Sequence, residues 1–143
     1  MNVLDDLCAT AKRTRTRIAL SEGDDPRVAK AAAQAAREGI ADIQLIGPTA
    51  EIQALLDGEE GAGKIEVLDP ASSPWLERYS LEYFELRKHK GMTLEQARAA
   101  MRGQLGFAAM MVRPGDSDGT IGGAVATTTD TVRTALQVIG KAA

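Results

Sequence analysis

The chain has 143 residues, which fits one domain of ordinary size and lets a core form without a disulfide or metal staple. Hydrophobic residues make up 44% and charged residues 26%, the balance of a folding chain and not of a disordered one. With 17 basic against 20 acidic residues the net charge is -3, which excludes a broad electrostatic footprint for nucleic acid or an anionic membrane, so any anion must be held locally.

Residues 3–13 read as a weak leading helix, and Arg17 opens a first strand that closes at Leu20 in the polar turn of residues 21–25. Asp25 then stands as a cap before Pro26 at a first helical position, and Val28, Ala31, Ala32, Ala35 and Ala36 keep one face apolar until Gly39. Ile43, Leu45 and Ile46 form a second strand, residues 49–56 a short helix after Pro48, and Ile65, Val67 and Leu68 a third strand closed by Pro70. Residues 58–63 are the one stretch that reads as a flexible connector.

Trp75, Tyr79, Tyr83 and Leu86 recur every three or four residues and predict a helix with one buried face, ended by Gly91. Thr93 and Gln96 make a capping box for a helix reaching about Met101, and an apolar helix follows from Gln104 to Val112 before Pro114. Residues 119–125 then read as a buried strand. Residues 127–139 read as a helix with Val132, Ala135, Leu136 and Ile139 inward and Gly140 as its stop. The alternation predicts an α/β fold, a parallel sheet with helices on both faces in three αβα layers.

The 24 alanines and five aromatic residues suit close-packed helices over a sheet and do not suit a pocket for stacked bases. Cys8 is the only cysteine and His89 the only histidine, so neither a disulfide nor a zinc site nor a catalytic triad has its parts. No run reaches the roughly 18 apolar residues of a membrane span, and the charge near the N-terminus follows the apolar part, the reverse of a secretory signal. A cytoplasmic location is expected.

Gly58 to Lys64 has the spacing of a phosphate-binding loop up to its lysine. Ile65 stands where a hydroxyl would hold magnesium, and a helix precedes the motif while a strand follows, the reverse of the required order. The stretch from Gly122 and Gly123 into Thr127, Thr128, Thr129 and Asp130 runs from a strand through small residues into a helix start, where amides and hydroxyls meet an anion. Thr127 with Asp130 also fits a plain capping box, so both an anion site and an ordinary cap account for the hydroxyls. Arg133 is a cation in the first two turns, where it opposes the helix dipole unless an anion sits there. Arg87, Lys88, His89 and Lys90 crowd one helical last turn, which dipole complementarity alone explains. Asp24, Asp25, Asp116 and Asp118 read as turn residues, not calcium ligands, because no glutamate follows at the spacing calcium needs.

The ordered set of segments 18–27, 39–47, 85–98, 107–119 and 121–139 resembles the phosphate acetyl/butyryltransferase family over nearly the whole chain. The resemblance implies reversible transfer of an acetyl group between acetyl phosphate and coenzyme A, with CoA as a substrate and no metal or organic cofactor. It implies that Arg87 and Arg133 are the catalytic arginines that hold phosphate and polarise the acyl group, with Thr127, Thr128 and Thr129 binding substrate at the helix start. Two positions depart from the family's pattern: Ala126 stands where histidine is common, and Thr134 where proline follows the arginine.

Family enzymes are longer and have two domains. Residues 1–143 are therefore expected to be the N-terminal α/β part of such an enzyme, inactive alone, with the C-terminal half and its serine, arginine and aspartate absent. The implied partners are acetyl phosphate, phosphate, CoA and further copies in a homo-oligomer. The other expectation is a non-catalytic ligand-binding or regulatory module, like the acyltransferase-like domain of malic enzymes.

Overall fold

The computed structural model describes residues 2–141; Met1, Ala142 and Ala143 of the expected 1–143 unit lie outside the described residues. Four parallel strands form one sheet: β1 (Arg17–Leu20), β2 (Asp42–Ile46), β3 (Glu66–Leu68) and β4 (Gly119–Ile121), in the order β3-β2-β1-β4. Ile18 pairs with Ile43 on one side and Gly119 on the other, and Leu20 with Leu45 and Ile121. The side chains alternate between faces. Ile43 and Leu45 join one core cluster while Ala19 and Ile46 join a second one on the opposite face.

The first face is covered by α2 (Pro26–Glu38) and α3 (Thr49–Leu56). Asp25 caps α2 by accepting from the amides of Arg27 and Val28, Pro26 takes the first turn, and Gly39 closes it in the left-handed conformation. The buried stripe of α2 is Ala29, Ala32, Ala33 and Ala36, one step round from the expected face. The reason is that α2 packs over β2 and α3 and leaves β1 and β4 bare on that side. Val28, Ala31 and Ala35 consequently open, with Ile18, Leu20 and Ile121, onto an apolar groove of about 470 Å³. The 58–63 connector is seated, not loose: it ends in a 3₁₀ turn (Ala62–Lys64), and at Gly61 (φ 91°) a Cβ would lie 2.7 Å from the Ala33 carbonyl oxygen.

The second face carries α4 (Leu76–Arg87), α5 (Leu94–Arg102) and α6 (Gln104–Val112). Tyr79 and Phe107, both fully buried, meet edge to face with centroids 5.0 Å apart, a geometry that adds about 0.5–1.5 kcal/mol to their burial. Met101, Met110 and Met111 fill the rest of this core. Thr93 and Gln96 make the reciprocal capping box of α5, and a 3₁₀ turn with Gly91 ends α4 as the pattern implied. The aspartates behave as turn and pairing residues. Asp118 takes Arg17 at 3.1 Å, and Asp116 accepts from the Tyr79 hydroxyl at 2.6 Å and pairs with Arg78. α1 (Val3–Thr14) buries none of its residues.

Two expectations at the end of the chain are corrected. The strand expected over 119–125 stops at Ile121, which is 62% exposed, and Val125 also faces solvent. The amides beyond Gly122 are drawn off into bonds with a side chain, so they are not available to a sheet ladder. The helix expected over 127–139 divides into α7 (Thr128–Thr134) and a π-helical turn (Ala135–Ile139). The wider turn rotates the face that points inward, burying Val138 and leaving Val132 and Leu136 about half exposed.

Candidate active site at the carboxyl ends of β1 and β4

The chain leaves β1 toward β2 on one side and returns at β4 on the other, so the loops after β1 and β4 diverge at the sheet's topological switch point. Open parallel sheets leave a crevice there. The loop after β1 is residues 21–25 and the loop after β4 is residues 122–126, with the start of α6 beside them. Gln104 of α6 ties the loop after β1 to the end of β2 through one amide group, donating to the carbonyls of Ser21 (2.9 Å) and Ile46 (3.0 Å) and to Asp24 Oδ1 (3.0 Å). Gly122 is required by space: a Cβ there would stand 2.5 Å from Ser21 Oγ.

Glu22 organises the second loop. It is 8% exposed, and its carboxylate accepts four consecutive backbone amides: Gly123 (2.7 Å) and Ala124 (2.8 Å) on Oε1, Val125 (2.5 Å) and Ala126 (2.7 Å) on Oε2. Burial alone would raise its pKa; the four amides together outweigh this and hold the carboxyl below the usual glutamate range. Arg27 braces the same loop by donating to the Ala124 carbonyl at 3.0 Å while paired with Asp25. The amides of 123–126 are thus already satisfied by an internal anion.

The loop delivers the chain to Thr127, whose hydroxyl accepts from the Asp130 amide at 3.1 Å and so caps α7. The reciprocal half of a capping box is missing, because Asp130 turns to Arg133 at 3.5 Å. Thr128, Thr129 and Arg133 line one open hollow of about 550 Å³ with Val132, Leu136 and Gln137. Arg87 does not line that hollow. It closes α4, and its Nε is buried with no acceptor among the described residues. Its helix is joined to the π-helical turn after α7 by Tyr83, whose hydroxyl donates to Gln137 Oε1 at 3.3 Å. Arg113 adds a second tie, donating to the Val138 carbonyl at 3.3 Å while paired with Glu82 of α4. The structure therefore groups Thr128, Thr129 and Arg133, spends the Thr127 hydroxyl on the cap, and puts Arg87 on the neighbouring helix.

Among the described residues no cluster of His, Cys, Asp and Glu is suited to a metal ion, and no helix is long and apolar enough to cross a membrane. The family model for phosphate acetyl/butaryl transferase matches residues 2–143. The chain belongs to the phosphate acetyl/butaryl transferase family. It is 46% identical over 99% of its length to the phosphate acetyltransferase of Paracoccus denitrificans and 37% identical over 97% to that of Thermoanaerobacterium thermosaccharolyticum. These matches span only 41% and 42% of the relatives' own lengths. In three dimensions this family member is similar to the EutD phosphotransacetylase from Staphylococcus aureus, with a TM-score of 0.85 at 32% identity over 98% of this chain and 44% of that one. A phosphotransacetylase from Streptococcus pyogenes is equally similar, with a TM-score of 0.85 at 30% identity.

Proposed function

We propose that this chain supplies one wall of a phosphate acetyltransferase site, holding the phosphate of acetyl phosphate while a CoA thiolate attacks the acetyl carbonyl. The carrying observation is the exposed face of α7, where Thr128, Thr129 and Arg133 border a single hollow, with the neighbouring helix ending in Arg87, whose buried Nε has no acceptor among the described residues. Arginine offers a planar fork of donors matched to phosphate, and the same charge stabilises the oxyanion that develops as the carbonyl is attacked. The thiolate sulfur forms the new bond to the carbonyl carbon, the bond from that carbon to the phosphate oxygen breaks, and inorganic phosphate departs with the electron pair. CoA acts as a substrate, and no cofactor is involved.

The chain is the N-terminal part of a two-domain enzyme that works in the cytoplasm as a homo-oligomer. Two features support incompleteness: the bare sheet face over β1 and β4, and a span of about two fifths of the relatives' length. Half a cleft cannot orient both reactants, and that orientation supplies much of the barrier reduction in a transfer of this kind. Mixing the 143-residue chain with acetyl phosphate and CoA tests this. No acetyl-CoA above the buffer rate is expected, and sustained turnover would overturn the one-wall reading.

A further inference from the structure

Glu22 has no part in the transfer chemistry just described, yet its buried carboxylate accepts, among the described residues, from backbone amides alone. Its two oxygens take the amides of four successive residues, a pattern in which the backbone wraps a negative charge as it would wrap a bound anion. Glycines make the wrapping possible. Gly123 sits at φ 110°, and Gly122 passes where any Cβ would strike Ser21 Oγ. The last amide in the set belongs to Ala126, the residue before the Thr127 cap. The carboxylate therefore decides where the loop ends and where α7 begins.

We infer that Glu22 is a positioning residue: its carboxylate anchors the loop over 123–126, and thereby sets the direction in which α7 presents Thr128 and Arg133. This rests on the proposed phosphate-holding face for its functional meaning, though the anchoring itself is independent of it. The consequence for the ligand is specific. A phosphate does not use the amides of 123–126, since a fixed internal anion fills them. It is held by side chains such as those of Thr128, Thr129 and Arg133, which line the hollow on α7. The charged groups facing Glu22 are Arg27, from α2, and Asp24 and Asp25 from its own turn.

Amide-resolved NMR on the 143-residue chain tests the inference. In the Glu22→Gln variant one oxygen becomes an NH₂ donor facing two N–H groups, so hydrogen-exchange protection of residues 123–126 should fall about 10- to 100-fold, the worth of a hydrogen bond to a charged group. The signals of Thr128, Thr129 and Arg133 should shift, while those of β2 stay in place. In Glu22→Ala, added formate should restore the protection and an equal concentration of chloride should not. Within the wild-type chain, which needs no variant to fold, the four amide shifts should titrate together with the Glu22 carboxyl on acidification. Full protection in Glu22→Gln with unmoved α7 signals, or amides that do not follow the carboxyl, would overturn the inference. Titration with inorganic phosphate reports separately on the functional reading: if phosphate leaves α7 signals unmoved while the amides still follow Glu22, the substrate assignment falls and the positioning role stands.

Discussion

The Tyr83 hydroxyl donates to Gln137 Oε1 at 3.3 Å, and this bond joins the helix carrying Arg87 to the π-helical turn that follows the helix carrying Arg133, each arginine four residues from its end of the link. Burial pushes the Tyr83 hydroxyl above its usual pKa, with nearby Arg87 opposing the shift, so it stays a proton donor at neutral pH. Tyr83→Phe removes the donor and leaves the ring in its core site. A loss of about 0.5–1.5 kcal/mol in chemical denaturation is expected, the ordinary net value of such a bond. An unchanged midpoint would show that the two helices are held together without it.

Acid should weaken the switch-point loops first. Glu22 has its carboxyl held below the usual range in the folded chain, and Asp25 has its own lowered from 3.8 to about 2, chiefly by the side-chain hydrogen bond with Arg27. A carboxyl with a depressed folded-state pKa contributes stability that is complete above its unfolded pKa and is lost as pH falls through the folded value. Asp25 therefore adds stability that disappears between about pH 4 and pH 2. Glu22, lowered in the same direction, adds stability that is lost as pH falls below the usual glutamate range, so Glu22→Gln should flatten the acid side of the stability curve measured by urea unfolding. An identical acid limb in the variant would contradict the anchoring of 123–126 by charge.

Space, not conformation, should decide the effect of adding a methyl group at two glycines. Gly122→Ala places a carbon 2.5 Å from Ser21 Oγ, whereas Gly63→Ala meets nothing within 4 Å. The first should cost about 1–3 kcal/mol, the range for overpacking, and the second should stay within about 0.5 kcal/mol of wild type. Equal thermal midpoints for the two variants would count against the tight passage at Gly122.

Much of the architecture was legible because local signals agreed with the tertiary outcome. Asp25, Pro26 and Gly39 bracket α2, and Thr93 with Gln96 opens α5, since caps act within a few residues and need no distant partner. The end of the chain is illegible for the opposite reason. Residues 119–125 have the composition of a buried strand, but Glu22, about a hundred residues away in sequence, captures the amides of 123–126 and halts the strand at Ile121. The π-helical turn that buries Val138 instead of Leu136 likewise leaves no local mark. At the site, family resemblance pointed to Arg87, Arg133 and Thr127 to Thr129. Gln104 and Glu22 carry no local signal, because a glutamine or glutamate beside a turn looks like surface until the strands are assembled.

Exposed apolar groups mark one end of the molecule. Ile121, Val125, Val132 and Leu136 all face solvent on β4, its following loop, α7 and the π-helical turn. A sheet edge beside such a face recruits another chain. Light scattering over a dilution series should show self-association, and the double substitution Val132→Asp with Leu136→Asp should abolish it. A monomer at every concentration would show that this face needs no cover.

The proposed function turns on Arg133 as a phosphate-holding residue. The direct measurement is calorimetric titration of inorganic phosphate into the wild-type chain and into Arg133→Ala, at low salt. A charge-assisted contact of about 1.5–3 kcal/mol corresponds to roughly a 10- to 150-fold loss of affinity in the variant, with an unchanged melting curve. Equal phosphate affinity in the two proteins would contradict the central claim.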